Sequence, residues 1–168
     1  MFKNLIKQNQ LAFIILTILF LIDRFSKFFI LKLVEQGEKL DIYITSYLNL
    51  YLIWNKGIAF GLLSFNENMI YNIITVLILI IIFTILIMII KSKGFVKYSL
   101  VIVLAGALGN VFDRIYYSAV PDFIDFHIHE FHWFIFNIAD IFVTIGVFCL
   151  IYVELFINKE IKNNEKNY

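Results

Sequence analysis

Four long apolar segments, separated by polar connections, dominate the sequence. No residue from Met69 to Ile90 is charged, and about 20 such residues, each rising ~1.5 Å, cross the hydrocarbon core of a bilayer. The same pattern predicts three further spans, over about residues 11–34, 98–112 and 134–157. The sequence therefore predicts an all-α transmembrane protein of four helices, in a single polytopic domain that covers residues 1–168.

The first apolar segment has a second interpretation. Its leading block, Leu11 to Ile22, has the length of a signal-peptide core, and Lys3 and Lys7 suit the basic region that precedes one. However, no small-residue cleavage site follows, and charged residues begin at Asp23, where such a site belongs. We therefore expect this segment to be retained as the first membrane span.

The connection between the first two spans, about residues 35–68, is longer than a simple tether requires. Its segments 40–45 and 47–53 are rich in aromatic and β-branched residues with partial alternation, which is typical of short strands. We expect a small β-rich extracytoplasmic cap here, followed by a turn at Asn55-Lys56-Gly57. An ordinary hairpin with a conventional structural turn explains the same pattern equally well.

The distribution of lysines predicts the orientation in the membrane. With four spans, three lysine-bearing segments lie on one side, and the positive-inside rule makes that side cytoplasmic. Both termini are then cytoplasmic, and the acid-rich connections face outward. The lysines are Lys3 and Lys7 before the first span, Lys91, Lys93 and Lys97 after the second, and Lys159, Lys162 and Lys166 after the fourth.

Composition and charge narrow the class of partners. The chain is 61% hydrophobic and 16% charged, which excludes an ordinary soluble domain. Its net charge of +1 provides no basic stripe for phosphates, so nucleic acid is not an expected partner. Membrane lipids are expected partners, and no feature indicates an obligate protein partner. The single cysteine, Cys149, excludes an intramolecular disulfide.

Several polar side chains fall within or beside the apolar segments, where an ionised group is costly and is by default a functional-site hypothesis. Asp23 and Lys27 are four residues apart, so they share a helix face and can form an ion pair. Arg114 can pair with Asp113 or reach Asp125. Each of these pairs has a structural explanation at least as good as a catalytic one.

Asp140 is the acid that a structural role explains least well. With a span starting at residue 134, it lies about 9 Å, or two turns, below the outer end of its helix. A side chain that short cannot reach the membrane surface from this depth. Asn137 lies three residues earlier on the same helix face.

Three histidines, His127, His129 and His132, raise the question of a metal. Their spacing is one residue short of the helical His-Glu-x-x-His motif of zinc proteases. The first two share a face if the segment is extended, but histidines are common in interfacial loops. We therefore predict no metal site and no cofactor.

Three classes of function fit these residues taken alone. Intramembrane carboxylates serve proton relays and transporters, although a transporter usually has more spans or an oligomer and has no need of an outer cap. A structural membrane subunit accounts for the ion pairs but leaves Asp122 and Asp140 unexplained. Two such carboxylates can also share a proton and activate a water molecule for hydrolysis. The residues alone leave these alternatives open.

Five blocks of sequence together resemble the lipoprotein signal peptidase family, the type II signal peptidases. They occur in that family's order and spacing from Asp23 to Gly146, although Ile58 and Ile141 depart from its usual residues. Each block is weak alone, and the set is specific. The blocks are Asp23-x-x-x-Lys27, 55–61 (Asn-Lys-Gly-Ile-Ala-Phe-Gly), 106–114 (Gly-Ala-Leu-Gly-Asn-Val-Phe-Asp-Arg), 122–126 (Asp-Phe-Ile-Asp-Phe) and 136–140 (Phe-Asn-Ile-Ala-Asp).

The resemblance implies an aspartyl endopeptidase in the bacterial cytoplasmic membrane, with its active site near the outer leaflet. Its expected substrates are prolipoproteins carrying a diacylglyceryl group on the cysteine that follows the cut. By the family's motifs the catalytic pair maps onto Asp122 and Asp140, with no metal. The residues expected to line the site are Asp23, Lys27, Asn55, Gly57, Asn110, Arg114 and Asn137.

Overall fold

The computed structural model describes residues 2–35, 40–56, 67–128 and 131–157. Within them lie four long helices and one four-stranded antiparallel sheet. The helices are α1 (Phe2–Glu35), α2 (Glu67–Lys91), α3 (Gly94–Tyr117) and α4 (Ile138–Tyr152), which continues as one π-helical turn, Val153–Ile157. The strands are β1 (Asp41–Thr45), β2 (Leu48–Asn55), β3 (Val120–Ile128) and β4 (Phe131–Phe136).

Three segments among the described residues are long and apolar enough to cross a membrane. These are Tyr71–Lys91, Gly94–Tyr117 and Ile138–Ile157. Large apolar side chains are exposed along them, such as Phe83 and Phe148, which suits a lipid environment and not water. The chain is an integral membrane protein by this criterion, and the first predicted span, within α1, stays a prediction.

Two predicted spans differ from the observed helices. The third was expected over 98–112, but α3 runs from Gly94 to Tyr117, because its polar residues Asp113 and Arg114 lie within the helix and do not end it. The fourth was expected from Phe134, but residues 131–136 form β4 and the helix begins at Ile138. Asp140 is therefore in the first turn of α4, and its predicted depth of two turns is wrong.

The sheet has the strand order β1-β2-β3-β4, each strand antiparallel to its neighbour. The predicted strands in the first connection, β1 and β2, are confirmed. The cap is larger than expected, because β2 pairs with β3 from the second outer connection, and β3 pairs in turn with β4. This pairing joins β2, which ends at Asn55, to β3, which carries Asp122.

Helices α3 and α4 pack closely through small residues. A side chain at Gly106 would collide with the backbone of Ala139, and one at Gly146 would lie 2.8 Å from the carbonyl oxygen of Ser99. Such contacts allow two helix backbones to approach closely within a membrane. The close approach brings the first turn of α4 against the middle of α3, where Asn110 is located.

Candidate active site

Asp122 lies in β3 with 2% of its surface exposed, and two asparagine side chains contact it. Asn55, the last residue of β2, donates from Nδ2 to Asp122 Oδ2 at 2.9 Å. Asn137 donates from Nδ2 to Asp122 Oδ1 at 2.6 Å. Each carboxylate oxygen thus receives one amide hydrogen bond, and both donors were predicted to line the site.

Asp140 is held by the start of α4. Asn137 caps this helix: its side chain accepts a hydrogen bond from the Asp140 backbone N–H at 3.2 Å, and its own N–H donates to Asp140 Oδ2 at 3.1 Å. This reciprocal pair is a capping box. A carboxylate in the first turn of a helix also interacts favourably with the helix dipole.

Asn110 of α3 connects Asp140 to a buried group of charges. Its Nδ2 donates to Asp140 Oδ1 at 2.7 Å, and its Oδ1 accepts from Lys27 Nζ at 3.0 Å. Because one end of this amide faces a carboxylate and the other an ammonium, its orientation is fixed by both. Both Asn110 and Lys27 were predicted to line the site.

The buried charges form a neutral cluster of two acids and two bases. Lys27 contacts Asp23 at 2.9 Å, which confirms the predicted ion pair, and contacts Asp113 at 2.5 Å. Arg24 binds Asp113 through two nitrogens and also contacts Asp23. Since Asp23, Lys27 and Asp113 are at most 1% exposed, each charge depends on its partners in the cluster.

Asp23 also reaches the helix that carries Asp140. Its Oδ1 accepts a hydrogen bond from the backbone N–H of Ala139 at 3.1 Å. Glycine at position 109 makes room for this carboxylate, because a Cβ there would lie 2.6 Å from Asp23 Oδ2. Asp23 and Lys27 thus connect α1 to α4 and α3 beside the residues that contact Asp140.

Arg114 occupies a different position from the one predicted. It does not pair with Asp113 or Asp125: Asp113 is bonded by Arg24 and Lys27, and Asp125 by His132. Among the described residues its Nε and Nη1 have no hydrogen-bond partner. It lines a cavity of about 550 Å³ together with Lys56, Tyr71, Asn72, Thr75, Ile115 and Ser118. Gly57, also predicted to line the site, lies outside the described residues.

The environment of Asp122 changes its acidity. Burial raises the pKa of Asp122 to about 6, the hydrogen bonds from Asn55 and Asn137 act against this rise, and the nearby charge of Asp140 adds to it. Removing a carboxylate from water disfavours its charged form, and a like charge acts in the same direction. Asp122 therefore keeps its proton to a higher pH than an exposed aspartate does.

Arg24 is the residue of this network that the sequence analysis missed. It was not among the residues predicted to line the site, although it contacts Asp23, Asp113 and the carbonyl of Gly109. Its position next to Asp23 was the available signal, because an arginine in an apolar helix needs a carboxylate partner. The partner Asp113 is 89 residues away, which local spacing cannot reveal.

Comparisons of the sequence and the fold with those of known proteins indicate the family of the chain. A curated lipoprotein signal peptidase of Pelagibacter ubique is 55% identical over 96% of this chain and 97% of its own length. One of Anaplasma phagocytophilum is 38% identical over 89% of this chain and 94% of its own length. A solved structure described as a bacterial membrane enzyme superposes with a TM-score of 0.71 at 30% identity, over 88% of this chain and 94% of that one.

The family model for signal peptidase (SPase) II matches residues 15–156. This range includes Asp23, Asn110, Asp122, Asn137 and Asp140. The sequence motifs and the relatives that match over nearly their full length indicate the same family. The chain belongs to the signal peptidase II family.

Proposed function

We propose that this protein is a membrane-embedded aspartyl endopeptidase that removes signal peptides from diacylglyceryl prolipoproteins, cutting before the lipidated cysteine. The observation that carries the proposal is the single hydrogen-bonded set containing both carboxylates. Asn137 contacts Asp122 and Asp140, and each acid has a further asparagine donor, Asn55 or Asn110. Membership of the signal peptidase II family supports the substrate class.

The mechanism assigns different roles to the two acids. Asp122, whose pKa burial raises to about 6, holds the proton and donates it to the carbonyl oxygen of the scissile bond. Asp140, which Asn110 and the backbone of Asn137 hold at the start of α4, is the general base. It takes a proton from water as the water attacks the carbonyl carbon. When the resulting tetrahedral intermediate collapses, the C–N bond breaks and Asp140 returns its proton to the leaving amine. No covalent enzyme intermediate forms.

The other contacts position the reacting groups. Asn55, Asn110 and Asn137 use their amides to orient the carboxylates, and the charges of Asp23, Lys27 and Arg24 keep α1, α3 and α4 together beneath them. Positioning of this kind lowers the entropic part of the barrier. Arg114 and Gly57 complete the lining of the site in this proposal.

The proposed topology has four spans in one polytopic unit with both termini cytoplasmic. α1 supplies the first of these spans in addition to the three described above, because its apolar side chains Phe13, Ile14 and Ile18 are more than half exposed and suit lipid. The cap and both carboxylates then lie near the outer leaflet. A reporter fused after Tyr168 should be cytoplasmic, and one inserted near Gln36 external.

A cleavage assay separates this proposal from the transporter or proton-relay alternative. Purified protein in detergent micelles is incubated with a diacylglyceryl prolipoprotein, and the products are identified by mass spectrometry. The account predicts a released peptide that ends immediately before the lipidated cysteine. A transporter yields no peptide product, and a cut elsewhere in the sequence contradicts the proposed specificity.

A further inference from the structure

A second group of ionisable side chains lies on the sheet, apart from the hydrogen bonds of the two catalytic candidates. Asp125 and His127 are two residues apart on β3, and His127 is paired across the hairpin with His132 of β4. The ring centroids of the two histidines are 5.1 Å apart. Pairing across strands brings His127 to His132, whereas the sequence analysis grouped it with His129, which lies outside the described residues.

We propose that Asp125, His127 and His132 form a binding site for a divalent transition-metal ion of the zinc class. One ligand atom from each residue lies within 4.8 Å of the other two. Two imidazole nitrogens and one carboxylate oxygen are a donor set that zinc prefers. The proposal concerns a site on the β3–β4 hairpin and does not depend on the proposed protease activity.

Unpartnered atoms within the cluster point to a ligand. His127 is 8% exposed, and its Nδ1 has no hydrogen-bond partner among the described residues, although it lies 3.5 Å from Asp125 Oδ2. Asn49, the register partner of Asp125 on β2, also has a buried Oδ1 without such a partner. Buried polar atoms are normally satisfied, and a metal ion with a bound water can satisfy both.

The separations of the two histidine Nδ1 atoms from Asp125 Oδ2 are close to those that a tetrahedral ion requires. Zinc–nitrogen and zinc–oxygen bonds of about 2.0–2.2 Å place neighbouring ligand atoms roughly 3.3 Å apart. His127 Nδ1 lies 3.5 Å from Asp125 Oδ2, which is close to this value. His132 Nδ1 lies 2.8 Å from the same oxygen, so this distance has to widen slightly. The His132 side chain is 55% exposed, so it can move and gives an ion access from solvent.

Such an ion would join β3 to β4 between the two parts of the active site. Asp122 lies three residues before Asp125 on β3, and β4 leads directly into Asn137 and α4. With three protein ligands the fourth position is available to water. Binding through Nδ1 requires that each imidazole carry its proton on Nε2.

The test is direct metal binding by the untagged, chelator-treated protein in detergent. Cobalt(II) is titrated as a spectroscopic probe and then displaced with zinc, and calorimetry gives the stoichiometry. The expected result is one ion per chain, with the visible absorption of a tetrahedral cobalt site. His127→Ala and His132→Ala should each weaken binding by more than the ~10–100-fold that loss of an outer-shell contact costs.

Matched controls separate ligation from a general effect on the fold. Asp125→Asn should lose the site, whereas Asp41→Asn, which changes an exposed carboxylate on β1 of the same sheet, should bind as the unchanged protein does. His132→Ala removes an exposed side chain, and thermal unfolding without metal verifies that it folds. Zinc should raise the unfolding temperature of the unchanged protein and of Asp41→Asn, but not that of Asp125→Asn, His127→Ala or His132→Ala. The proposal is overturned if the unchanged protein shows no saturable metal binding, or if His132→Ala binds the metal as tightly as the unchanged protein does.

Discussion

The side-chain amide of Asn137 donates a hydrogen bond to Asp122 at 2.6 Å, across the junction between the sheet and the last helix. The same residue caps α4 and bonds the carboxylate of Asp140 through its backbone. One asparagine therefore fixes the position of β3 and of the first helical turn relative to each other. The two carboxylates are positioned as a pair because they share this residue.

Replacing Asn137 should impair catalysis more than replacing Asn55. Asn137→Ala removes the contact to Asp122 and the side-chain cap of α4, whose loss alone costs about 1 kcal/mol. Asn55→Ala removes only a hydrogen bond to Asp122 among the contacts described above. We expect kcat to fall ~10²-fold or more for Asn137→Ala and ~10-fold for Asn55→Ala, because misplaced reacting groups are costly. Steady-state kinetics on a lipidated peptide measures both.

Asn49→Ala provides the control for these two variants, because Asn49 is an asparagine of the same strand as Asn55 and has no hydrogen bond to either carboxylate. It should keep kcat within a few-fold of the unchanged protein. Equal losses in Asn49→Ala and Asn55→Ala would mean that damage to the sheet, and not the contact with Asp122, lowers the rate.

The raised pKa of Asp122 predicts a pH dependence. Activity requires its proton, so kcat/KM should decline on the alkaline side as the pH passes about 6. The free energy of unfolding should also fall as the pH rises. A carboxyl group whose pKa is raised by folding stabilises the protein when it is protonated, and this contribution is lost between about pH 4 and about pH 6. An unfolding profile between about pH 4 and 6 tests the effect on stability, and a rate profile that extends above pH 6 tests the effect on activity.

A variant tests the physical cause of that pH dependence. The hydrogen bond from Asn55 lowers the pKa of Asp122, so Asn55→Ala should move the alkaline limb of kcat/KM to higher pH while reducing its maximum. An unchanged limb in this variant would mean that the limb reports a group other than Asp122.

The buried charge cluster should be needed for stability. Among the described residues, Lys27→Met leaves Asp23 and Asp113 with Arg24 as their one basic partner. Removing one member of a buried ion pair typically costs about 3–5 kcal/mol. Lys32→Met, on the exposed part of the same helix, should change the free energy of unfolding by less than about 0.5 kcal/mol. Denaturant unfolding in detergent compares them, and equal effects would contradict the account of the cluster.

The position of Asp140 in the first turn of α4 predicts a preference for lipidated substrate. The apolar segment starts at Ile138, so the proposed topology puts the carboxylates at the membrane boundary and not two turns below it. A diacylglyceryl anchor holds the cut site at this boundary, with burial worth ~0.8 kcal/mol per methylene. The unlipidated precursor should be cleaved at least ~10²-fold more slowly, and equal rates in micelles would contradict the depth argument.

Hydropathy predicted most of the helices, because a long uncharged run such as Met69–Ile90 has few other structures available in a bilayer. It failed at β4, where the largely aromatic residues 131–136 are separated from the apolar run of α4 by Asn137 alone. The signal was available: Asn137 followed by Asp140 is the spacing of a capping box, which marks a helix beginning at Ile138.

The sequence predicted the residues of the candidate site more fully than the contacts between them. The resemblance supplied Asp122, Asp140 and their asparagines. Residues alone indicated the Asp23–Lys27 pair, since four residues make one helical turn. The roles of Arg24 and Asp113 depend on the packing of α1 against α3, and the meeting of His127 with His132 depends on hairpin register. Neither relationship is encoded in local spacing.

The most direct test of the account is the cleavage of a diacylglyceryl prolipoprotein by Asp122→Asn and Asp140→Asn, compared with Asp41→Asn. The first two keep the shape of each side chain but cannot exchange the proton. They should lose at least ~10³-fold in kcat, in the range of acid–base catalysis, while their unfolding profiles still show a folded protein. Asp41→Asn should be fully active. Substantial cleavage by either of the first two variants, when correctly folded, would contradict the assignment of these aspartates as the catalytic pair.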